Sequence, residues 1–366
     1  MKILKSFLVF ASAFLLASAS LFAAPQNQFA NIPVAPASDF EYELTANMSG
    51  VRITKYKGNA QALNIPAEIE GMPVIELKEK MFYDDWYEKC SPIVTVIIPD
   101  SVKNLPENLF YECRFLKAVK LPNGIKEIPS DTFYDCSSLT EFTIPATVTH
   151  IGSSAFSSTG LRSIVIPDSV QITKDDSFMF SGCHKLSSIK LPASMKIIPF
   201  SFFSNCDSLK TIDIPNGVEI IDGNAFNSCS NIEQLKIPDS VKGIGAAFWF
   251  MSKLKSIVIP DSVTFMNGEV FQGCSALETV RLSDSVKELS PSIFKDCTSL
   301  KSFNLPKSLV SFKGDEPAIP KSVTEIIVPD GLKNVDFNWY MFAGIKPSLI
   351  NQKKLKDAGY TGEFKK

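Results

Sequence analysis

Apolar and polar positions along this chain fall into one repeating unit rather than into isolated amphipathic segments. An aliphatic residue followed by Pro recurs at Pro99, Pro122, Pro145, Pro167, Pro192, Pro215, Pro238, Pro260, Pro306 and Pro329, with Ser283 filling the same role after Leu282. Successive steps lie 22, 23 or 25 residues apart. Counted from each Pro, apolar residues stand six, three and one positions before it, and three, six and eleven after it. Leu139, Phe142, Ile144, Val148, Ile151 and Phe156 show all six around Pro145. The alternation just before the Pro predicts a short strand with one face inward, and the Pro ends it because it has no N–H to give the ladder. Each repeat re-enters in the same direction, so the strands stack in parallel, one per coil. The return leg is too short for a long helix and is expected to be irregular, with 3₁₀ or single-turn helical pieces around Phe and Cys. At about 4.8 Å between strands, about 11 to 12 coils make a rod on the order of 50 Å long. No coil buries its apolar set alone; its neighbours supply the rest of the core.

The entry segment, with Asp39-Phe-Glu-Tyr-Glu-Leu-Thr45 through Val51-Arg-Ile-Thr-Lys-Tyr-Lys-Gly58, then Ile65-Pro66, Gly71-Met-Pro-Val74 and Phe82, resembles the entry coil of BspA-like leucine-rich-repeat proteins. The Ile-Pro-Asp-Ser-Val and Phe-x2-Cys-x2-Leu units resemble their repeats, and the likeness covers about residues 40 to 336. It implies a leucine-rich-repeat solenoid, α/β in class but mostly β: a right-handed coil of roughly 23-residue repeats with a parallel sheet on its concave face. It also implies a bacterial surface or secreted protein, since several members of that family act as adhesins for host matrix proteins or in coaggregation. The chain lacks the inward Asn that follows the strand in more familiar leucine-rich repeats, so their ligand rules do not transfer.

The ends depart from the repeat. Lys2 and Lys5, an apolar run from Phe7 to Leu16 and the small-residue segment Ala17 to Ala24 have the layout of a secretory signal peptide over 1–24. Residues 25–38, with Pro25, Pro33 and Pro36, read as a flexible leader. The solenoid spans 39–346, with an entry cap at 39–75, and 347–366 form a C-terminal helical cap and tail in which Gly359 stops the helix. Asp84 to Glu88 is an insertion between Phe82 and Cys90, expected to bulge outward with Trp86 and Tyr87 exposed. After Phe312 the Phe-x2-Cys unit is missing, and Pro317 and Pro320 stand in its place.

Composition narrows the function classes. The net charge is −2, and losing Lys2 and Lys5 takes it to −4, so neither a nucleic-acid footprint nor a polybasic membrane patch is present. No later segment approaches the roughly 18 consecutive apolar residues of a membrane span. His150 and His184 are the only histidines, with no nucleophile at a telling spacing, and no catalytic motif appears. No cofactor and no metal is expected.

Three in-register columns invite chemistry. The cysteines Cys90, Cys113, Cys136, Cys183, Cys206, Cys229, Cys274 and Cys297 occupy one register. Stacked thiols one coil apart point the same way, which argues for reduced core residues over a disulfide framework; one or two bridges are the other reading. Phe82, Phe110, Phe133, Phe156, Phe180, Phe203, Phe226, Phe248, Phe271 and Phe294 form a second column, expected as a stacked interior spine. Asp100, Asp168, Asp239, Asp261, Asp284 and Asp330 follow the Pro position. There each carboxylate either closes an Asx turn two residues on or, at Asp239, Asp261 and Asp284, shares a hard cation.

Five positions before the Pro stand Lys117, Thr140, Arg162, Ser187, Lys210, Glu233, Lys255, Glu278 and Lys301. This row reads as a solvated ion ladder or as a protein-docking surface; Trp86 and Tyr87 are candidate aromatic anchors. The function expected is non-catalytic recognition of an extracellular or envelope protein or glycan through the concave face, at the cell surface or in secreted form. A periplasmic scaffold is the alternative, and a hydrolase built on a repeat scaffold a more distant one.

Overall fold

The computed structural model describes residues 26–84, 89–313, 319–342, 345 and 349–364. Residues 1–24, expected from the sequence to be a signal peptide, and the insertion's Trp86 and Tyr87 lie outside the described residues. The chain winds into a mostly β solenoid of about 12 turns with parallel strands and, among the described residues, one α-helix.

The entry cap begins with Phe40–Leu44 running antiparallel to Val51–Tyr56, which in turn pairs in parallel with Met72–Leu77. Glu68–Ile69 folds back on Met72 through Gly71, whose φ of 76° suits the turn. The leader is not free along its whole length. Val34 bridges Asn64, the Ala35 N–H donates to the Asn64 carbonyl at 2.9 Å, and the Asn64 side chain donates to Ile32 O. Residues 32–37 therefore run beside the first coil, with Ala35 and Ala37 packed on the core.

The strands before the Pro step form the first ladder. Ala62–Asn64, Thr95–Ile97 and Ala118–Lys120 pair in sequence; Ser163–Val165 pairs with Ser188–Lys190. Ser256–Val258, Thr279–Arg281, Ser302–Asn304 and Glu325–Ile327 follow. The ladder is segmented rather than continuous: the coils at 141–143 and 211–213 are not strands, and Gln234 keeps only a single bridge to Ser256.

A second parallel ladder, not expected from the sequence, begins five residues after the Pro. It runs as Glu127–Ile128 with His150–Ile151, then Ile197–Ile198, Ile220–Ile221, Gly243–Ile244 and Phe265–Met266. Glu288–Leu289, Ser311–Phe312 and, seven residues after Pro329, Asp336–Phe337 form a further segment that is not paired to Phe265–Met266. Its break after Ile151 coincides with the 25-residue repeat. The extra residues form a turn at 173–177 that the buried carboxylate of Asp176 holds by accepting from the Thr173 N–H at 2.7 Å and its hydroxyl at 3.0 Å.

The return leg is more ordered than an irregular connection. Alternate residues donate N–H groups to the next coil: Asn108 to Ser130 O, Phe110 to Thr132 O and Glu112 to Tyr134 O, at 2.8 to 3.1 Å. Left-handed residues two before and two after the Phe, such as Asn108 and Glu112 (φ 57° and 55°) or Asp131 and Asp135, turn the chain between these bonds. Asn, Asp, Ser and Gly recur there because they tolerate that conformation.

Inside, Phe82, Phe110, Phe133, Phe156, Phe180, Phe203, Phe226, Phe248, Phe271 and Phe294 stack along the axis, successive ring centroids 5.2 to 6.1 Å apart. All ten are fully buried. One pair departs from the expected column of reduced thiols, since Cys90 and Cys113 form a disulfide with Cα atoms 5.0 Å apart, a single bridge of the kind the other reading allowed. Facing the same way does not prevent bridging when two coils approach this closely. Cys136, Cys183, Cys206, Cys229, Cys274 and Cys297 are free and buried. Each of these six donates its S–H to the carbonyl of a spine Phe one coil back, as Cys229 does to Phe203 O at 3.1 Å.

The helix Leu349–Asp357 ends at Gly359, whose φ is 118°. The Tyr360 N–H returns to Leu355 O at 3.0 Å, satisfying a carbonyl of the last turn. Leu355, Ala358 and Tyr360 are buried, and the Tyr360 ring meets Phe342 and Phe337 edge-on. The helix thus docks against the last coils, tied also by Lys354 to Asp330 at 2.7 Å.

Candidate functional site

On the first ladder the inward residue of each strand is the one three before the Pro, as at Val96, Ile164, Ile257 and Val280. The outward positions are therefore four and two before it. Lys117, Arg162, Lys210, Glu233, Lys255, Glu278 and Lys301 are all exposed, but they stand one residue ahead of the strands and form its entrance rim.

The rim divides into two electrostatic halves. Towards the C-terminus its charges pair across coils: Lys255 with Glu233 at 2.8 Å and Lys301 with Glu278 at 2.6 Å. These hydrogen-bonded contacts hold the Glu233 and Glu278 carboxyls below the usual range and the Lys255 ammonium above it. Lys242 and Glu219 make a like pair beside the second ladder, at 2.7 Å. Towards the N-terminus, Lys117, Arg162 and Lys210 have no ion-pair partner among the described residues, nor has Lys190 on the adjacent outward face. A cation that is exposed and unpaired keeps its field available to an incoming partner.

Three of the six aspartates in the row brace neighbouring coils rather than closing Asx turns. Asp100 accepts from the Asn123 N–H, Asp168 from the Ala193 N–H and Asp261 from the Asp284 N–H, at 2.8 to 2.9 Å. Each donor is the residue after the next coil's Pro position. At Asp261 the arrangement leaves no open cation site. The Arg281 guanidinium grips both carboxylate oxygens, at 3.1 and 2.9 Å, and Lys307 reaches Asp284 at 2.7 Å. The Arg281 hydrogen bond, then the Asp284 N–H, hold the Asp261 carboxyl low; the Asn123 N–H does so at Asp100. Among the described residues no group of three His, Cys, Asp or Glu is placed to hold a metal ion.

A shallow cleft of about 600 Å³ opens on this face where the ladder is reduced to the Gln234 bridge, lined by Lys236, Ser256, Val258, Asp261 and Arg281 among others. Beside the insertion, whose stem pairs Tyr83 with Cys90, a second surface feature has formed. Tyr111 and Tyr134 stack at 5.0 Å, Tyr83 meets Tyr111 edge-on, and the Lys80 ammonium sits 4.5 Å from the Tyr111 ring centre. Sequence reasoning passed over this tyrosine column, although Tyr after the spine Phe in successive coils was its visible signal.

The free thiols lie beneath these surfaces. Burial pushes the free thiols up, Cys183 to about 11 and Cys229 and Cys297 to about 12, so they remain protonated and shielded. His184 pairs with Asp207 at 2.6 Å in the open; His150 lies 3.7 Å from Asp176. What the described surfaces offer is rigid, repeated charge and hydrogen-bonding groups, the means of binding.

Comparison with known proteins agrees with the architecture. The family model for the BspA type leucine rich repeat region matches residues 73–179, 176–278 and 237–348. A leucine-rich repeat protein from Bacteroides ovatus superposes with a TM-score of 0.64 at 22% identity, covering 92% of this chain and 100% of that one. A leucine rich cell surface protein from Faecalibacterium prausnitzii gives a TM-score of 0.54 at 23% identity, covering 91% and 99%. Among curated proteins none matches the chain.

Proposed function

The chain belongs to the BspA-type leucine-rich-repeat family, whose members are generally non-catalytic recognition proteins of the bacterial surface, and on that premise we propose that it is an exported adhesin-type receptor for a protein partner. The partner docks on the first-ladder face, at the N-terminal half of its rim. The observation that carries this reading is the asymmetry of the rim: among the described residues Lys117, Arg162 and Lys210, with Lys190 on the strand face beside them, have no ion-pair partner, whereas the C-terminal half neutralises itself with Lys255–Glu233 and Lys301–Glu278. A face built only for solvation has no need of that division, and a partner presenting acidic side chains complements it. The stacked coils hold the cations at fixed intervals, so little order is lost on binding.

Placement outside the cell rests on the N-terminal segment with Lys2, Lys5 and its apolar run. The Faecalibacterium neighbour, itself described as a cell surface protein, agrees with it. No helix among the described residues is long and apolar enough to cross a membrane.

The test is binding of the mature chain to a panel of extracellular-matrix and cell-surface proteins, beside the triple variant Lys117→Glu, Arg162→Glu, Lys210→Glu and a control, Lys255→Glu, Lys301→Glu. Saturable binding should fall at least tenfold in the first variant and much less in the second. Equal losses in both, or none in either, contradict the assignment to the N-terminal half.

A further inference from the structure

The return leg of the middle coils carries a cleft of about 570 Å³ that the strand-face reading does not use. Three before the spine Phe, the earlier coils bear side chains, namely Glu107, Ser130, Ser153, Ser177 and Phe200; the next three coils bear glycine, at Gly223, Gly245 and Gly268. None of these glycines has a positive φ. Gly245 is required by packing, since a Cβ there would lie 2.5 Å from the Gly223 nitrogen. Gly223 is not: a Cβ would meet only the Phe200 ring edge, at 3.4 Å. At Gly268 it would meet only the Ser290 side chain, at 3.1 Å. At these two positions neither the backbone nor the main chain of the neighbouring coil demands glycine, and the missing side chains leave an open floor.

The walls are aromatic and polar without a cation. Phe200 and the half-buried Trp249 flank the floor, and Asp222, Glu269, Asn267 and Ser292 stand around it; no Lys, Arg or His lines the cleft. Two atoms in the wall are buried without a hydrogen-bond partner, the acceptor Asn224 Oδ1 and the donor Trp249 Nε1. Each unmade bond is a cost to the free protein. A hydroxyl group, which both donates and accepts, suits either atom once that atom's own side chain turns towards the cleft. The cleft crosses five coils, from Phe200 to Ser292, roughly 19 Å at about 4.8 Å per coil, room for a short chain of rings.

We infer that this cleft binds a neutral oligosaccharide. Trp249 and Phe200 pack on the C–H faces of its rings, and the carboxylates, amides and serine hydroxyls bond its hydroxyls. The carboxylates of Asp222 and Glu269 exclude anionic sugars. The site is separate from the rim of Lys117, Arg162 and Lys210, so it stands whether or not that surface binds protein.

The experiment presents the full mature chain to immobilised neutral gluco-, manno- and galacto-oligosaccharides, with an Arg/Lys-rich peptide as the competing ligand class. At least one neutral oligosaccharide should be retained, and titrating it should shift the tryptophan emission. Gly223→Val, which fills the floor, should weaken retention at least tenfold while leaving the thermal melt close to that of the parent. Should Gly223→Val fail to fold, Trp249→Phe and Glu269→Gln take its place, and each should weaken retention several-fold. The triple rim variant should bind sugar normally. Retention of no neutral oligosaccharide, retention of the peptide alone, or unchanged retention in the folded cleft variants overturns the proposal.

Discussion

Phe203 shows why single residues in this fold are unequal. It is fully buried and stacked between Phe180 and Phe226 at 6.1 and 5.5 Å, whereas Phe250, two residues beyond the same column, is 48% exposed. Phe203→Ala should cost about 3 to 5 kcal/mol in denaturant unfolding, as the rigid neighbouring coils cannot close the cavity; Phe250→Ala should cost under about 1 kcal/mol. Equal costs would misplace the core. The thiols give a second measure. Under denaturing, non-reducing conditions six should react, the Cys90–Cys113 bridge withholding two, and almost none should react in the native protein at pH 8. Eight reactive thiols, or four or fewer, would contradict the pairing. The sign of the pH effect follows from burial. In the native state Cys183, Cys229 and Cys297 titrate at about 11 to 12, above the roughly 8.5 of a thiol in the unfolded chain, so the unfolded state loses protons first. Their contribution to stability is complete below about pH 8.5 and declines as pH rises towards about 12. A melt series from pH 7 to 10.5 should show that decline, reduced when Cys183 and Cys229 are replaced by Ala relative to each variant's own neutral-pH stability.

The elements divide by how strongly side chains specify them. The first-ladder strands were legible because Pro99 and its equivalents mark where each ends and the residue three before marks its inward face. The Phe column was legible from one apolar position recurring in every coil. The second ladder was not, since pairs such as Glu127–Ile128 and Gly243–Ile244 are two residues long, too short to show alternation. Its parallel bonds arise from the stacking of coils, not from local propensity. The return-leg staircase was hidden for a related reason: its signal lies in residues such as Asn108 and Asp135, which also suit ordinary turns. The rim row was legible as a column of charge. Which of its cations are paired depends on side-chain reach between coils, and that required coordinates. The end of the C-terminal helix was readable from Gly359, and the structure adds why the glycine matters: a Cβ there would lie 2.7 Å from the Val335 carbonyl oxygen, at a φ of 118°. Gly359→Ala should therefore lower stability by more than about 1 kcal/mol and raise hydrogen exchange at 335–337 and in the helix before it affects the middle coils. Uniform destabilisation along the chain would argue against a local cap.

At the scale of the whole molecule the solenoid separates two jobs. The interior column of Phe and Cys is the same in nearly every coil and fixes the spacing; the surface changes from coil to coil and carries recognition. Between them, Asp100, Asp168 and Asp261 each lock one coil to the next at the Pro corner, which helps to hold the rim charges of those coils in register. That rigidity makes salt a useful probe. Binding that depends on the exposed, unpaired Lys117, Arg162 and Lys210 should weaken steadily as ionic strength rises, because the Debye length falls from about 10 Å at 0.1 M to about 3 Å at 1 M. The most direct test of recognition through the first-ladder face is a hydrogen-exchange footprint of the chain in complex with a bound surface protein. Protection should gather at 117–120, 162–165, 187–190 and 210–213, at one end of the rim. Protection confined to the return leg or to the C-terminal coils, with those four segments unchanged, would contradict it.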